Sequence, residues 1–312
     1  MATKCPLVPL NKDQFKDLCK EINLKPEQLE KDVKTLAAWI ELQPHLPQDA
    51  FDEMMLGAFI TSGKNSLEIA KQKIDMYLTN RLSCPELYGN RDPYAEDIMQ
   101  NEKVSGLFTL LQTTSEGYRV NMNTIIDTNP DNYNYIAHIK RFLNLFDVRF
   151  KSEKYLRGDY FVFDLKGVSL MHITKCTPSL SKKFVHCIKD STPLRVKGLF
   201  FINAPSITEM ILNIFKPFLG QKLIKRIHVF SGDHTNLYKY IQRDILPNEY
   251  GGKSGNMNDL HNSWNEYVKS HRNWFLQDVK RIINESKRPE KSVYKPKQLF
   301  GIEGSFKTLT ID

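Results

Sequence analysis

Residues 192–252 read TPLRVKGLFFINAPSITEMILNIFKPFLGQKLIKRIHVFSGDHTNLYKYIQRDILPNEYGG, and this stretch decides the fold. Arg195-Val-Lys-Gly-Leu-Phe-Phe-Ile-Asn has the content of a strand and is closed by Ala204-Pro205. In the following segment Ile207, Met210, Ile211, Ile214, Phe215, Phe218 and Leu219 fall at steps of three, four, seven, eight, eleven and twelve. That spacing lays a broad apolar stripe on one face of a helix. Leu212 lies off the stripe and widens the apolar surface. Lys225-Arg-Ile-His-Val-Phe then supplies a second strand.

Upstream the same alternation continues. Leu107-Phe-Thr-Leu-Leu and Tyr118 to Ile126 have strand content, separated by the turn Ser115-Glu116-Gly117. A long helix is predicted around Asn132 to Phe150, a strand at Asp159-Tyr-Phe-Val-Phe-Asp-Leu, and helical sequence from there to Ile188. Strands alternating with helices predict an α/β domain with a largely parallel sheet. The chain before it reads as helical. Leu29, Val33, Leu36, Ala37 and Ile40 recur at helical spacing after Lys25-Pro26, and two further apolar runs use Phe51 to Phe59 and Leu67 to Leu78. SCPELYGNRDPYAED, from Ser83 to Asp97, has the Pro and Gly content of a linker. After Tyr250-Gly251-Gly252 one amphipathic helix is predicted over Asn258 to Asn284. The expected organisation is an N-terminal arm (1–24), a helical domain (25–100), an α/β domain (101–255), and a C-terminal helix and tail (256–312).

With 312 residues, 41% hydrophobic and 26% charged, the chain has ordinary globular composition and enough length for a large core. No stretch approaches the ~20 uninterrupted apolar residues of a membrane-spanning helix. No signal-peptide run or lipidation box is present, so a cytoplasmic location is expected. Cys5, Cys19, Cys84, Cys176 and Cys187 are scattered and form no Cys-x-x-Cys pair, which fits free thiols in a reducing compartment. The net charge of +8 calls for an acidic partner. Part of the excess, in Lys280 to Lys297, reads as a solvated tail.

Another part of it is placed more tellingly. Lys216, Lys222, Lys225 and Arg226 cluster just after the apolar stripe, and Lys222 and Arg226 share a face if that stretch is helical. By periodicity alone the stripe belongs to a core-facing helix. Next to four cations it also suits an anionic bilayer surface, where each basic residue contributes on the order of 1 kcal/mol.

Several motifs in one order carry a family resemblance. Phe163-Asp-Leu-Lys-Gly, Thr177-Pro-Ser, Pro193-Leu-Arg-Val-Lys-Gly, Ile202-Asn-Ala-Pro, Lys216-Pro-Phe-Leu, Lys225-Arg-Ile-His-Val and Ile245-Leu-Pro-Asn-Glu-Tyr-Gly-Gly together resemble the CRAL-TRIO lipid-binding family. Residues 26–82 resemble its helical N-terminal domain. The branch is the α-tocopherol-transfer-like, clavesin-like and retinaldehyde-binding one, and Leu299 to Lys307 is similar to its invertebrate members. The resemblance implies a CRAL-TRIO fold whose apolar cavity lies between a sheet floor and a movable gate helix at 206–219. Its wall positions fall on Phe163, Val168, Cys176, Phe184, Ile188, Leu194, Val196 and Leu199. Its gate positions fall on Ile207, Met210, Ile211, Ile214, Phe215 and Phe218. The phosphoinositide contacts of the tocopherol-transfer branch fall on Lys222 and Arg226. A third basic position of the family is Thr or Gly here, with Lys64 nearby. Arg141 and Asp159 stand where tocopherol binders have smaller or apolar residues, and either would need a polar partner if it faced inward.

The implied function is binding and intermembrane transfer of a hydrophobic molecule of tocopherol, retinoid or carotenoid type by a monomer that docks transiently on anionic, phosphoinositide-bearing membranes. No cofactor, metal or nucleic-acid partner is expected, and no enzymatic activity. Two alternatives stand beside it: a phosphatidylinositol or phospholipid exchanger, and a scaffold whose fold serves protein interaction. Sequence signs of catalysis are weak. Gly252-Lys253-Ser254 lacks the earlier glycine of a phosphate loop, Pro247 standing in its place. His228, His234 and His261 are too far apart for a metal motif. Asp164 reads as a turn or cap residue, and no Gly-x-Ser-x-Gly occurs.

Overall fold

The structure, a computed structural model, describes residues 5–289. The motif at Leu299 to Lys307 and the basic tail from residue 290 onward lie outside the described residues. The segment expected as an arm contains α1 (Lys12–Ile22). Asn11 caps it by accepting from the Gln14 amide at 2.9 Å, while Gln14 Oε1 accepts from the Asn11 amide at 3.1 Å, and Leu18 and Ile22 are buried. Three helices then follow the periodicity: α2 (Pro26–Glu41), α3 (Glu53–Ser62) and α4 (Leu67–Ser83). Asp52 and Ser66 cap the last two through their side-chain oxygens. The linker-like segment is structured as α5 (Pro85–Tyr88) and α6 (Glu96–Val104). Its Pro and Gly content hid the reason, which is that Leu87 and Arg91 are buried.

The sheet comes next. β1 (Ser105–Thr109) and β2 (Arg119–Ile125) pair antiparallel, and α7 (Tyr135–Phe150) leads to β3 (Asp159–Asp164), parallel to β2. Gly167 turns the chain after β3 at φ +82°, where a Cβ would meet Thr128 Cγ2 at 2.5 Å. Next come α8 (Leu170–Thr174), α9 (Pro178–His186), a π-helical turn (Cys187–Ser191) and β4 (Val196–Ile202). The order closes with α10 (Thr208–Phe215), α11 (Gln221–Ile224) and β5 (Ile227–Val229). The five strands lie in the order β1-β2-β3-β4-β5, with every pair after the first parallel, so the expected α/β architecture is present.

The single helix expected over 258–284 is two, α12 (Met257–Ser270) and α13 (Arg272–Asp278), broken at His271. α12 covers the edge strand: Trp264, fully buried, donates from Nε1 to the Thr109 carbonyl at 2.7 Å.

α7 is buried along its whole length except at Ile136, although it carries Lys140, Arg141, Asp147 and Arg149. Each charge therefore needs a partner. Asp147 accepts from Arg91 Nη2 at 2.6 Å and from Tyr77 OH at 2.5 Å, with Arg81 at 3.5 Å. Arg81 also reaches Asp278 of α13 at 3.0 Å. Arg149 pairs with Asp159 and Glu153, and Arg119 closes that cluster on Glu153. Burial alone would raise the Glu153 carboxyl, and the two guanidiniums outweigh it and hold it below the usual carboxylate range. Arg141 gives both Asn101 O and Ser105 O a hydrogen bond at 2.8 Å. Asp147→Asn leaves Arg91 with Asp278, 3.7 Å away, as its one carboxylate partner among the described residues. It is expected to cost about 3–5 kcal/mol of unfolding free energy, read as a lowered urea midpoint.

Two buried histidines flank Arg141. Burial, with Arg141 adding to it, holds His138 down to about 3, and the same two causes hold His261 down to about 4. The unfolded imidazole titrates near 6.5, so below that pH the unfolded chain binds protons that the folded one refuses. Stability is therefore complete above pH ~6.5 and falls as pH drops toward 4, by up to about 1.4 kcal/mol per histidine per pH unit. Urea midpoints measured between pH 7 and 4.5 should show this slope, and His138→Gln should flatten it by about half.

Candidate ligand-binding site

Between the sheet and α10 lies a cavity of about 240 Å³, walled almost wholly by apolar side chains. Its floor follows from strand alternation. Phe161 and Phe163 of β3 and Leu199 and Phe201 of β4 point into it, at the spacing of two that puts side chains on one face. Val196 also lines it, three positions before Leu199. The register shift between Asp159 and Tyr160, where Asp159 pairs with Val196 and Tyr160 with Gly198, brings both to the same face. Side walls come from Val168, Cys176, Phe184, Val185 and Ile188, on α9, the π-helical turn and the segments around α8. Burial pushes the Cys176 thiol up to about 12, so it serves as wall rather than nucleophile.

The lid is α10 together with the short turn that leads on to α11. Ile211, Leu212, Ile214 and Phe215 face the cavity, joined by Leu219 and Leu223, while Pro217 ends the regular helix. Met210 is 48% exposed and points outward. The inward face is thus rotated by about one residue from the predicted stripe. Thr208 and Leu212 are the buried positions of α10, and Leu212 packs with Leu165, Phe201 and Ala204. Side-chain hydrogen bonds from residues 209–219 to the rest of the described protein are absent. The lid's ion pair, Lys216 to Glu209 at 3.9 Å, is internal to it.

The structure therefore brings ten of the fourteen anticipated residues to one cavity: Phe163, Val168, Cys176, Phe184, Ile188, Val196, Leu199, Ile211, Ile214 and Phe215. Leu194 instead packs in the main core, Ile207 is half-buried at the start of α10, and Met210 and Phe218 lie off the cavity wall. Sequence reasoning missed Phe161 and Phe201, which period-two alternation from Phe163 and Leu199 would have found. It also missed Tyr133, Tyr135, His138 and His172, which lie in loops and on helices with no motif to mark them.

Arg141 and Asp159 do not line the cavity; both are consumed by the buried pairs beneath the sheet. Asp164 does line it, at a turn. Its oxygens accept from Tyr250 OH at 2.7 Å, Asn203 Nδ2 at 2.8 Å and the Lys166 amide at 2.9 Å, leaving it a structural part.

Just outside the lid, Lys222 and Lys225 are exposed. α11 is only four residues long, so Arg226 lies beyond it and donates to the Val196 carbonyl. Among the described residues no helix is long and apolar enough to cross a membrane, and no cluster of three His, Cys, Asp or Glu could hold a metal.

Comparison with known proteins fits this geometry. Residues 103–252 match the CRAL/TRIO domain and residues 25–98 the Pinta-like UBA domain. Over 272 residues the chain is 29% identical to the mouse (Mus musculus) protein named alpha-tocopherol transfer protein-like, covering 86% of this chain and 78% of that one. It is 23% identical to Xenopus laevis clavesin-1 over 235 residues, covering 74% of this chain and 70% of clavesin-1. Among solved structures, Sfh5 aligns with a TM-score of 0.46 at 18% identity, over 87% of this chain and 100% of that chain. The chain thus carries a CRAL/TRIO domain, with a Pinta-like UBA domain before it.

Proposed function

We propose that the protein encloses a hydrophobic small molecule, of tocopherol, retinoid or carotenoid type, and moves it between membranes. The observation that carries this reading is an apolar cavity covered by a lid whose inward face, Ile211, Leu212, Ile214 and Phe215, makes apolar contacts. In water those contacts keep the lid shut, because exposed apolar area costs about 25 cal/mol per Å². At a bilayer interface the same area is solvated by lipid, so that cost disappears. α10 can then swing outward with Met210, its outermost apolar residue, leading into the acyl boundary. Lys222 and Lys225 sit beside the lid, where attraction to anionic lipids, phosphoinositides among them, would bring it to the membrane. The protein is accordingly read as a cytoplasmic monomer that visits membranes transiently, and as a carrier rather than an enzyme. Similarity to proteins named for tocopherol transfer supports the ligand class.

Organic extraction of natively purified protein, followed by mass spectrometry, is expected to yield a stoichiometric isoprenoid-type molecule. An inositol phospholipid would make the protein an exchanger instead. An empty extract, with no uptake from loaded vesicles, would make the fold a scaffold.

Docking is tested separately. Lys222→Glu with Lys225→Glu is expected to slow transfer between anionic vesicles by about 10- to 100-fold, from the loss of about 1 kcal/mol per cation plus repulsion. Ligand occupancy should stay unchanged. Equal loss of both would place these lysines in folding or ligand binding rather than docking.

A further inference from the structure

In the wall of the apolar cavity one buried side-chain nitrogen lacks a hydrogen-bond partner among the described residues. His172, on α8, forms part of the wall and is only 3% exposed. Its Nδ1 accepts from the Ser169 backbone amide at 3.1 Å, with Ser169 Oγ at 2.9 Å. A backbone N–H can only donate, so Nδ1 carries no proton and Nε2 does. Burial first, and Lys175 second, lower the imidazole's affinity for a second proton, which keeps this tautomer neutral. Yet Nε2 is buried without any hydrogen-bond partner among the described residues.

Three neighbouring polar side chains of the same wall, Asn123, His138 and Tyr135, have partners within the protein. Asn123 donates from Nδ2 toward His138 Nε2 at 3.2 Å, and the other nitrogen of His138 meets Ser105 Oγ at 3.0 Å. Tyr135 OH meets Ser181 Oγ at 3.0 Å. A buried donor left unmade is costly, and in the wall of a ligand cavity a bound ligand can supply the missing acceptor.

Resting on the carrier reading, and deepening it, we infer that the ligand carries an uncharged oxygen (a hydroxyl, ether or carbonyl) that accepts the His172 Nε2 proton. A pure hydrocarbon would leave that proton orphaned. A carboxylate would have to be stripped of water in a wall where Asp164 is already present. Lys189, the cation that reaches this wall, lies 3.6 Å from Asp190 and so brings little free positive charge. His172 thus selects for polarity at one end of the cargo, while the phenylalanine floor accepts the rest by area alone.

The test uses farnesol and farnesene, which share a carbon skeleton and differ chiefly in the hydroxyl. Each is loaded into phosphatidylcholine vesicles and offered to the full chain. Protein-bound probe is then quantified by extraction and mass spectrometry. Wild type is expected to favour farnesol about 3- to 10-fold, the range of one neutral hydrogen bond. His172→Phe should bring that ratio to about 1. Because the substitution also removes a capping contact at Ser169, a wild-type measurement decides independently of it. In ¹⁵N-labelled protein the His172 Nε2–H resonance should move when farnesol binds and stay when farnesene binds. Equal uptake of both probes, an unchanged ratio in the variant, or an unmoved resonance with farnesol bound would overturn the anchor and leave the carrier reading standing. The Nε2–H would then belong to the Tyr133 ring, 5.6 Å away in an edge-on arrangement. Uptake of neither probe would overturn the carrier reading and the anchor together.

Discussion

The carboxylate of Asp147 is buried in the middle of the molecule, and three parts of the chain meet on it. Tyr77 and Arg81 come from α4, Arg91 from the turn between α5 and α6, and through Arg81 the network extends to Asp278 of α13. Arg91 Nε is also held by Asn144 Oδ1 at 2.8 Å, one turn back along α7. A central charge of this kind adds little by its own attraction, since stripping it of water offsets most of the gain. In this packing the one carboxylate meets side chains of α4 and of the turn after α5, and Arg81 carries the network on to α13, so the buried charges of the sheet side, the helical unit and the C-terminal helices are satisfied together.

A second set of buried charge pairs gathers at one end of the sheet. The polar pairs Arg149–Asp159, Arg149–Glu153 and Arg119–Glu153 all lie where α7 meets the start of β2 and β3. Toward the other ends of β3 and β4 the packing turns aromatic and aliphatic. Phe161, Phe163 and Phe201 stack nearly parallel there, with Phe163 and Phe201 centroids 4.9 Å apart. Hydrogen bonds specify one geometry, whereas apolar contact rewards area and tolerates exchange of partner. The cavity sits where the second kind of packing takes over from the first.

This division explains how much could be read from the sequence. The parallel sheet and the apolar stripe at 206–219 were legible because alternation and helical spacing are local properties of the chain, whereas the wall and gate positions came from the family resemblance. The exact face of α10 was not. Its rotation depends on where the helix begins, and with Ile207 as the first flanking residue Thr208 and Leu212 turn inward while Met210 turns out. Val196 and Leu199 share a face only through a register shift that no local pattern announces. Arg91 was read as part of a linker, since its partners Asn144 and Asp147 are more than fifty positions away in sequence. Arg141 and Asp159, suspicious at ligand positions, resolve in the same way: their acceptors and donors come from Asn101, Ser105 and Arg149.

The same physics separates holding a ligand from releasing it. If polar bonds tied α10 to the body of the protein, opening the lid would leave donors and acceptors unmet in the acyl region of a membrane, where water cannot replace them. A lid secured by Leu212, Ile211 and Phe215 has no such obstacle, because hydrocarbon outside substitutes for hydrocarbon inside. The exposed lysines proposed to meet the membrane sit on α11 and at its end, next to the lid but outside its inward face. Arg226 fastens this end of the lid to β4 through the Val196 carbonyl. In the proposed carrier the lid would turn about a point that stays attached to the cavity floor, which would keep the opened cavity facing the membrane.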